Sequence, residues 1–254
     1  MDDHAEKDKQ FHARIAGHYD AMTNEPRQYP NELLFRPIDR LIHPARLLVD
    51  LGCGTGQMFL RYRKRTDRTI AVDHSEEMLE VAERRVRGIG MTNVEFVRSD
   101  VHDFLERNAG LGVNLVTCVG VLHHLKQHEL ETALSGISSI LAGRGQCVIA
   151  EPVYSDAVPG VIRSRNERSI LQRRLERFMP EDAVDPDEEP LHETSLRDAI
   201  RHSGLVMRKI SRGFELFHLT DPITRFEKIL IRAIYARYRH RGDVIAVLLE
   251  KPTG

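Results

Sequence analysis

The pattern that organises this chain is a series of short apolar runs set between amphipathic stretches. Residues 46–51 form the first run, ending in glycines, and residues 69–72, 94–97, 113–119 and 146–150 follow. Runs this short and this continuously apolar fit strands buried on both faces of a parallel sheet. Residues 57–65, 76–87, 102–107 and 129–141 separate them and read as helices. Such strand–helix alternation implies right-handed crossovers and an α/β, doubly wound sheet.

The ends of the chain read differently. Phe11, Ile15, Tyr19 and Met22 recur every three or four positions, which predicts an amphipathic helix over 9–22, with residues 1–8 frayed. Pro26, Pro30 and Pro37 punctuate the next stretch, and a short helix is expected around 33–42. After Pro152 the rhythm breaks into an arginine-rich helical stretch and an acidic loop holding Glu181, Asp182, Asp185, Asp187, Glu188 and Glu189. A helix is expected over 195–203, capped by Thr194 and ended by Gly204. Strands follow at 206–210 and 243–249, the last placed antiparallel beside the strand at Val206. Between them, 222–239 reads as a helix with Ile223, Phe226, Leu230, Ile234 and Tyr238 on one face. The expected organisation is an N-terminal helical cap (1–45), a core (46–152), a helical and acidic insertion (153–193), and a return to the same sheet (194–254) with a helical insertion at 214–242.

Composition narrows the function classes. The chain has 254 residues and a formal net charge of -1, so it lacks the basic excess of proteins that live on nucleic-acid backbones. Cys53, Cys118 and Cys147 are widely spaced, which argues against a disulfide framework or a structural zinc site. The N-terminus is polar and acidic, and no apolar run approaches a membrane span. A cytoplasmic protein without a metal, either monomer or homodimer, is expected.

The chemistry centres on Gly52-Cys53-Gly54-Thr55-Gly56, directly after the first strand. Glycines there let the chain turn sharply and let a ligand approach the backbone. The G-x-G-x-G spacing is tighter than that of dinucleotide binders. Asp73 ends the second strand about twenty residues on, where such sheets bind ribose hydroxyls. Asp100 follows the third strand and could accept from an adenine amino group while the Val101 amide meets a ring nitrogen. A helix-capping role is the alternative for both acids.

These pieces together, VDLGCGTG (49–56), AVDHSEEML (71–79), VEFVRSD (94–100), NLVTCVGVLHHL (114–125) and CVIAEP (147–152), resemble class I S-adenosylmethionine-dependent methyltransferases of the small-molecule type. The resemblance covers roughly residues 10–152 and, more loosely, the last strands. It implies a Rossmann-like, seven-stranded sheet, mostly parallel with an antiparallel last strand, under helical lid insertions. It implies S-adenosylmethionine as cofactor and S-adenosylhomocysteine as product. By the same resemblance, Gly52, Gly54 and Gly56 line the methionine and ribose parts. Asp73 holds the ribose; His74 and Met78 flank the adenine; Asp100 and Val101 read its edge. Val119 and Gly120 sit near the sulfonium, and Tyr19 closes over the cofactor or packs in the core.

For the transfer itself, His123, His124 and Glu151 stand at the ends of the fourth and fifth strands, beside the switch-point crevice. A His oriented by a carboxylate suits general-base catalysis at neutral pH. Packing or capping by the His pair is the alternative. No N/D-P-P-Y run follows the fourth strand, which counts against amide or nucleobase nitrogens as acceptors. Arg163, Arg165, Arg168, Arg173, Arg174 and Arg177, with Arg232, Arg237, Arg239 and Arg241, line the insertions and would either hold an anionic substrate or face water. The expected activity is methylation of a small molecule at oxygen, or else carbon, in secondary metabolism. The alternatives are a tRNA or protein methyltransferase, and a non-catalytic S-adenosylmethionine-binding protein.

Overall fold

The computed structural model describes residues 3–17, 19, 38–154, 191–213, 229, 233 and 244–253. Its centre is a sheet whose path runs β3 (Val94–Arg98), β2 (Thr66–Asp73), β1 (Ala45–Leu51), β4 (Val113–Val119), β5 (Leu141–Tyr154), β8 (Val244–Glu250), β7 (Val206–Gly213). A two-residue strand, β6 (Leu191–His192), pairs parallel with the end of β5. Strands β1 to β5 are parallel, and β8 runs antiparallel to both β5 and β7. The expected doubly wound sheet with an antiparallel last strand is therefore present, with β6 as an addition. The order reverses between β1 and β4, and the carboxyl ends of those two strands flank the crevice where ligands bind in such sheets.

Period-2 alternation explains both core layers. Val49, Leu51, Ile70, Val72, Val116, Cys118, Ile149 and Val247 point to one face. There they meet α4 (Val101–Arg107), α5 (Gln127–Ile140) and α6 (Glu193–His202) through Phe104, Leu134, Ile137 and Leu196. The intervening Leu48, Ala71, Leu115, Val148, Ala246 and Leu248 point to the other face. They meet α2 (Phe59–Tyr62), α3 (Glu76–Ile89) and a helical turn at Ile38–Ile42. Burial on both faces is what makes the strands read as unbroken apolar runs.

Several boundaries differ from expectation. Helix α1 spans Asp3–Ile15, so it begins in the segment expected to fray. Ala5, Glu6, Lys7 and Gln10 are all favourable helix formers. It ends at Ile15, before an Ala16-Gly17 turn; Tyr19 is again helical, and Met22 lies outside the described residues. Phe11, Ile15 and Ala16 pack on Met78 of α3, and Tyr19 lies beyond the turn against the same cluster. Strand β5, 14 residues long, is nearly three times the apolar stretch at 146–150, because it starts before the Gly143-Arg144-Gly145 irregularity, shifts register there and runs on to Tyr154. Thr194 is inside α6 rather than at its cap; His192 takes that position, and the buried Glu193 carboxylate is held by Arg197 and Arg212 instead. The expected segments at 155–190, the helix over 222–239 apart from Ile229 and Ala233, and the arginine sets with the acidic loop lie outside the described residues, as do 33–37 of the short helix.

Candidate active site

The glycine turn is shaped by three different demands. Gly52, Gly54 and Gly56 all have positive φ. A Cβ on Gly52 would stand 2.3 Å from Val121 Cγ2, and one on Gly56 would stand 2.3 Å from the Phe59 ring. Those two glycines are needed for close packing within the chain. At Gly54, φ is +51° and a Cβ would meet nothing within 4 Å, so this residue borders open space. Asp73 ties the turn to β2. Its Oδ2 accepts the Gly54 amide at 2.8 Å and its Oδ1 accepts the Ser75 amide at 2.9 Å. Each oxygen has a second lone pair, so a pair of hydroxyls can still be bound. Ser75 then caps α3 by accepting the Met78 amide.

Below the turn lies a polar cluster that sequence reading missed. Asp50 is 2% exposed, and its Oδ1 accepts hydrogen bonds from Thr117 Oγ1 at 2.7 Å and Tyr62 Oη at 2.9 Å. Its Oδ2 has no hydrogen-bond partner among the described residues. Burial pushes the carboxyl up to about 7; the two hydroxyls pull it down and the charge of Asp73 adds to the rise. A cation in the crevice would favour the ionised form. The one signal available in the sequence was an aspartate inside an otherwise apolar strand, LLVDL. The bonds to Tyr62 and Thr117 cross twelve and sixty-seven positions, beyond any local pattern.

The predicted adenine side is mixed. His74 follows β2, is half-buried, and its Nε2 is buried with no hydrogen-bond partner among the described residues. Met78 is 2% exposed beneath Phe11 and Ile15, so its side chain belongs to the α1–α3 contact. Asp100 is exposed and accepts the His102 amide at 2.7 Å, which caps α4. Val101 opens that helix, so its amide is among the first-turn donors that lack an intrahelical acceptor. Tyr19 is half-buried, with its ring 6.3 Å from that of His12.

Across the switch point, β4 ends at Val119, which is half-buried, and Gly120, which has φ +69° and donates its amide to Ala150. A 3-10 turn, Leu122–His124, follows. Glu151 of β5 is fully buried behind it. Its Oε1 accepts the Val121 and Leu122 amides, both at 2.9 Å, and its Oε2 is 2.8 Å from His123 Nδ1. An ionised Glu151 can only accept there, which would place the proton on Nδ1 and leave Nε2 as the basic nitrogen. Glu151, predicted among the catalytic residues, is fully buried and touches His123 and the turn rather than open space. His123 and His124 stack with ring centroids 4.0 Å apart. His12 of α1, which sequence reading did not single out, meets His124 at 5.2 Å and His74 at 6.3 Å.

Among the described residues, no group of His, Cys, Asp or Glu side chains could hold a metal ion. No described helix is long and apolar enough to cross a membrane. Cys53, Cys118 and Cys147 are all buried thiols, and burial raises each of them.

The comparisons with known proteins agree with this geometry. Residues 48–145 match the family described as "Methyltransferase domain". The carboxy-S-adenosyl-L-methionine synthase of Salmonella paratyphi C (strain RKS4594) is 30% identical over 182 residues, covering 66% of this chain and 72% of that protein. The enzyme of the same name from Shewanella sp. (strain W3-18-1) is 28% identical over 218 residues, covering 78% and 87%. The N-methyltransferase NodS from Bradyrhizobium japonicum, solved with S-adenosyl-L-homocysteine, superposes with a TM-score of 0.61 at 13% identity over 96% of this chain and 98% of that one. A Haloferax volcanii putative methyltransferase, solved in complex with the Trm112 methyltransferase activator, gives 0.64 at 19% identity over 96% and 99%. The chain belongs to the class I S-adenosylmethionine-dependent methyltransferases, and S-adenosylmethionine is its cofactor. The residues present fit that molecule. The open space at Gly54, the spare lone pairs of Asp73 and the orphaned Asp50 Oδ2 supply acceptors and room for a cationic nucleoside, and His74 Nε2 adds a polar atom that is a donor or an acceptor by tautomer.

Proposed function

We propose that this enzyme methylates a hydroxyl of a small-molecule acceptor, with His123 as general base and Glu151 as the residue that orients it. The observation that carries this reading is the His123–Glu151 contact of 2.8 Å, made by a fully buried carboxylate at the switch point. Bound S-adenosylmethionine supplies an electrophilic methyl on a sulfonium and departs as S-adenosylhomocysteine. Asp73 takes the ribose hydroxyls, Gly54 admits the chain of the cofactor, and Asp50 faces its cationic end. Asp100, Val101 and His74 serve the adenine; Val119 and Gly120 border the sulfonium. His123 Nε2 removes the acceptor's hydroxyl proton as the oxygen gains the methyl, and Glu151 stabilises the imidazolium that results. The arginines of the segments 153–193 and 214–242 carry the charge that would favour an anionic acceptor.

The curated relatives favour a second reading. Their name describes an enzyme that makes a carboxylated S-adenosylmethionine. On that pattern this chain would modify the cofactor rather than pass on its methyl. One experiment separates the two. The protein is incubated with methyl-labelled S-adenosylmethionine and a panel of hydroxylated, carboxylated small molecules, and products are read by mass spectrometry. Formation of S-adenosylhomocysteine with a labelled acceptor, lost in His123→Ala, is the expected result. A heavier, carboxylated cofactor supports the second reading. No S-adenosylhomocysteine above the level of an Asp73→Ala control overturns the first.

A further inference from the structure

We infer that His12 is a positioning residue of this site, and that through it helix α1 forms one wall of the crevice. The inference rests on reading the ends of β4 and β5 as the catalytic side. Helix α1 is seated by Phe11 and Ile15, one turn apart, which pack with Ala16 on Met78 of α3. His12 follows Phe11 directly, so it stands about 100° around the helix from the anchoring stripe. That turn carries its ring to the crevice, where it meets His124 edge-on at 5.2 Å and 79°, and His74 at 6.3 Å and 89°. His124 is thus in contact with one ring from α1 and another, His123 at 4.0 Å, from its own turn.

The consequence is an asymmetry within the histidine pair. His123 takes its orientation from a buried carboxylate on β5. His124 takes part of its orientation from an element more than a hundred positions earlier in the chain. Among the described residues, His124 meets the rings of His12 and His123; His12 in turn meets Tyr19 and His74, and His123 meets the Glu151 carboxylate. The Glu77 carboxyl of α3 is lowered first by a backbone hydrogen bond, and Lys9 of α1 adds the smallest part of that effect.

The test uses the full chain with labelled histidine and imidazole NMR, and needs no acceptor. A through-space contact between the His12 and His124 rings is expected in the wild type. In His12→Ala the His124 ring signals should move, because the edge-on ring beside it is gone. His12→Gln, polar but without a ring, should behave like His12→Ala; wild-type His124 signals in His12→Gln overturn the inference. Phe11→Ala, which unseats α1 while leaving His12 in place, should weaken the His12–His124 contact. Absence of that contact in the wild type, or unmoved His124 signals in His12→Ala, also overturns it. The same samples titrated with S-adenosylhomocysteine keep the two ideas apart. Failure of the wild type to bind breaks the reading of the site, while the ring contact is still measured without ligand.

Discussion

The two halves of the crevice are built by different means. On the β1–β2 side the backbone does most of the work: a glycine turn presents amides and open space, and one acid, Asp73, is held by two neighbouring amides. On the β4–β5 side the site is a side-chain assembly, in which Glu151 fixes a turn and a histidine twenty-eight positions earlier. A backbone-built site tolerates exchange of most side chains and fails when its glycines or its acid change. A side-chain assembly fails when any buried member loses its partner.

Mutations should expose that difference. Glu151→Ala leaves two amides and an imidazole without their buried acceptor, and should lower unfolding stability by about 3 kcal/mol. Glu151→Gln keeps one acceptor oxygen and should recover part of that loss in a urea titration. If Glu151→Ala unfolds like the wild type, the β4–β5 side is not an assembly in this sense. Asp73→Ala should weaken S-adenosylhomocysteine binding by about 100-fold in calorimetry, a loss of about 2.7 kcal/mol, with the fold retained. A change under fivefold would place the affinity elsewhere in the turn.

The glycines sharpen the contrast further. Gly52→Ala drives a Cβ into Val121 and should cost about 2 kcal/mol of stability. Gly54→Ala should cost about 1 kcal/mol, the strain of its left-handed backbone alone, yet lower ligand affinity more than Gly52→Ala does. Equal stability losses would mean the turn is a single packing unit. A separate test is in pH. Asp50 holds its proton more tightly in the folded chain, up to about 7, than at its ordinary value of 3.8. The folded state therefore binds the extra proton between those values, and stability from this group falls as pH rises from 4 to 7. Asp50→Asn should flatten that slope in denaturation midpoints measured at pH 5 and pH 8.

What the sequence disclosed follows the same division. The parallel strands and the glycine turn were legible because double-sided burial writes continuous apolar runs, and because a turn with positive φ writes glycines. Asp73 was legible because its distance from the turn is fixed by one strand and one crossover. The Asp50–Tyr62–Thr117 cluster, the burial of Glu151 and the approach of His12 to His124 were not, because each joins residues on separate elements. Met78 shows the converse: a position taken for a ligand contact is spent on seating α1. The early start of α1 and the length of β5 were missed because polar and glycine-bearing stretches carry no apolar period to read.

The position of β8 bears on how such a chain comes to be folded at all. Residues 244–250 do not end the sheet at its rim; they lie between β5 and β7 and pair with both. During synthesis, the first five strands can associate in order while β5 still shows a bare hydrogen-bonding edge. That edge, with its apolar neighbours Val148 and Ile149, waits about a hundred residues for its partner. Pairing across such a span is slow and leaves the chain open to wrong partners. Loss of 244–250 would therefore cost more than one strand, since it frees two edges in the middle of the sheet.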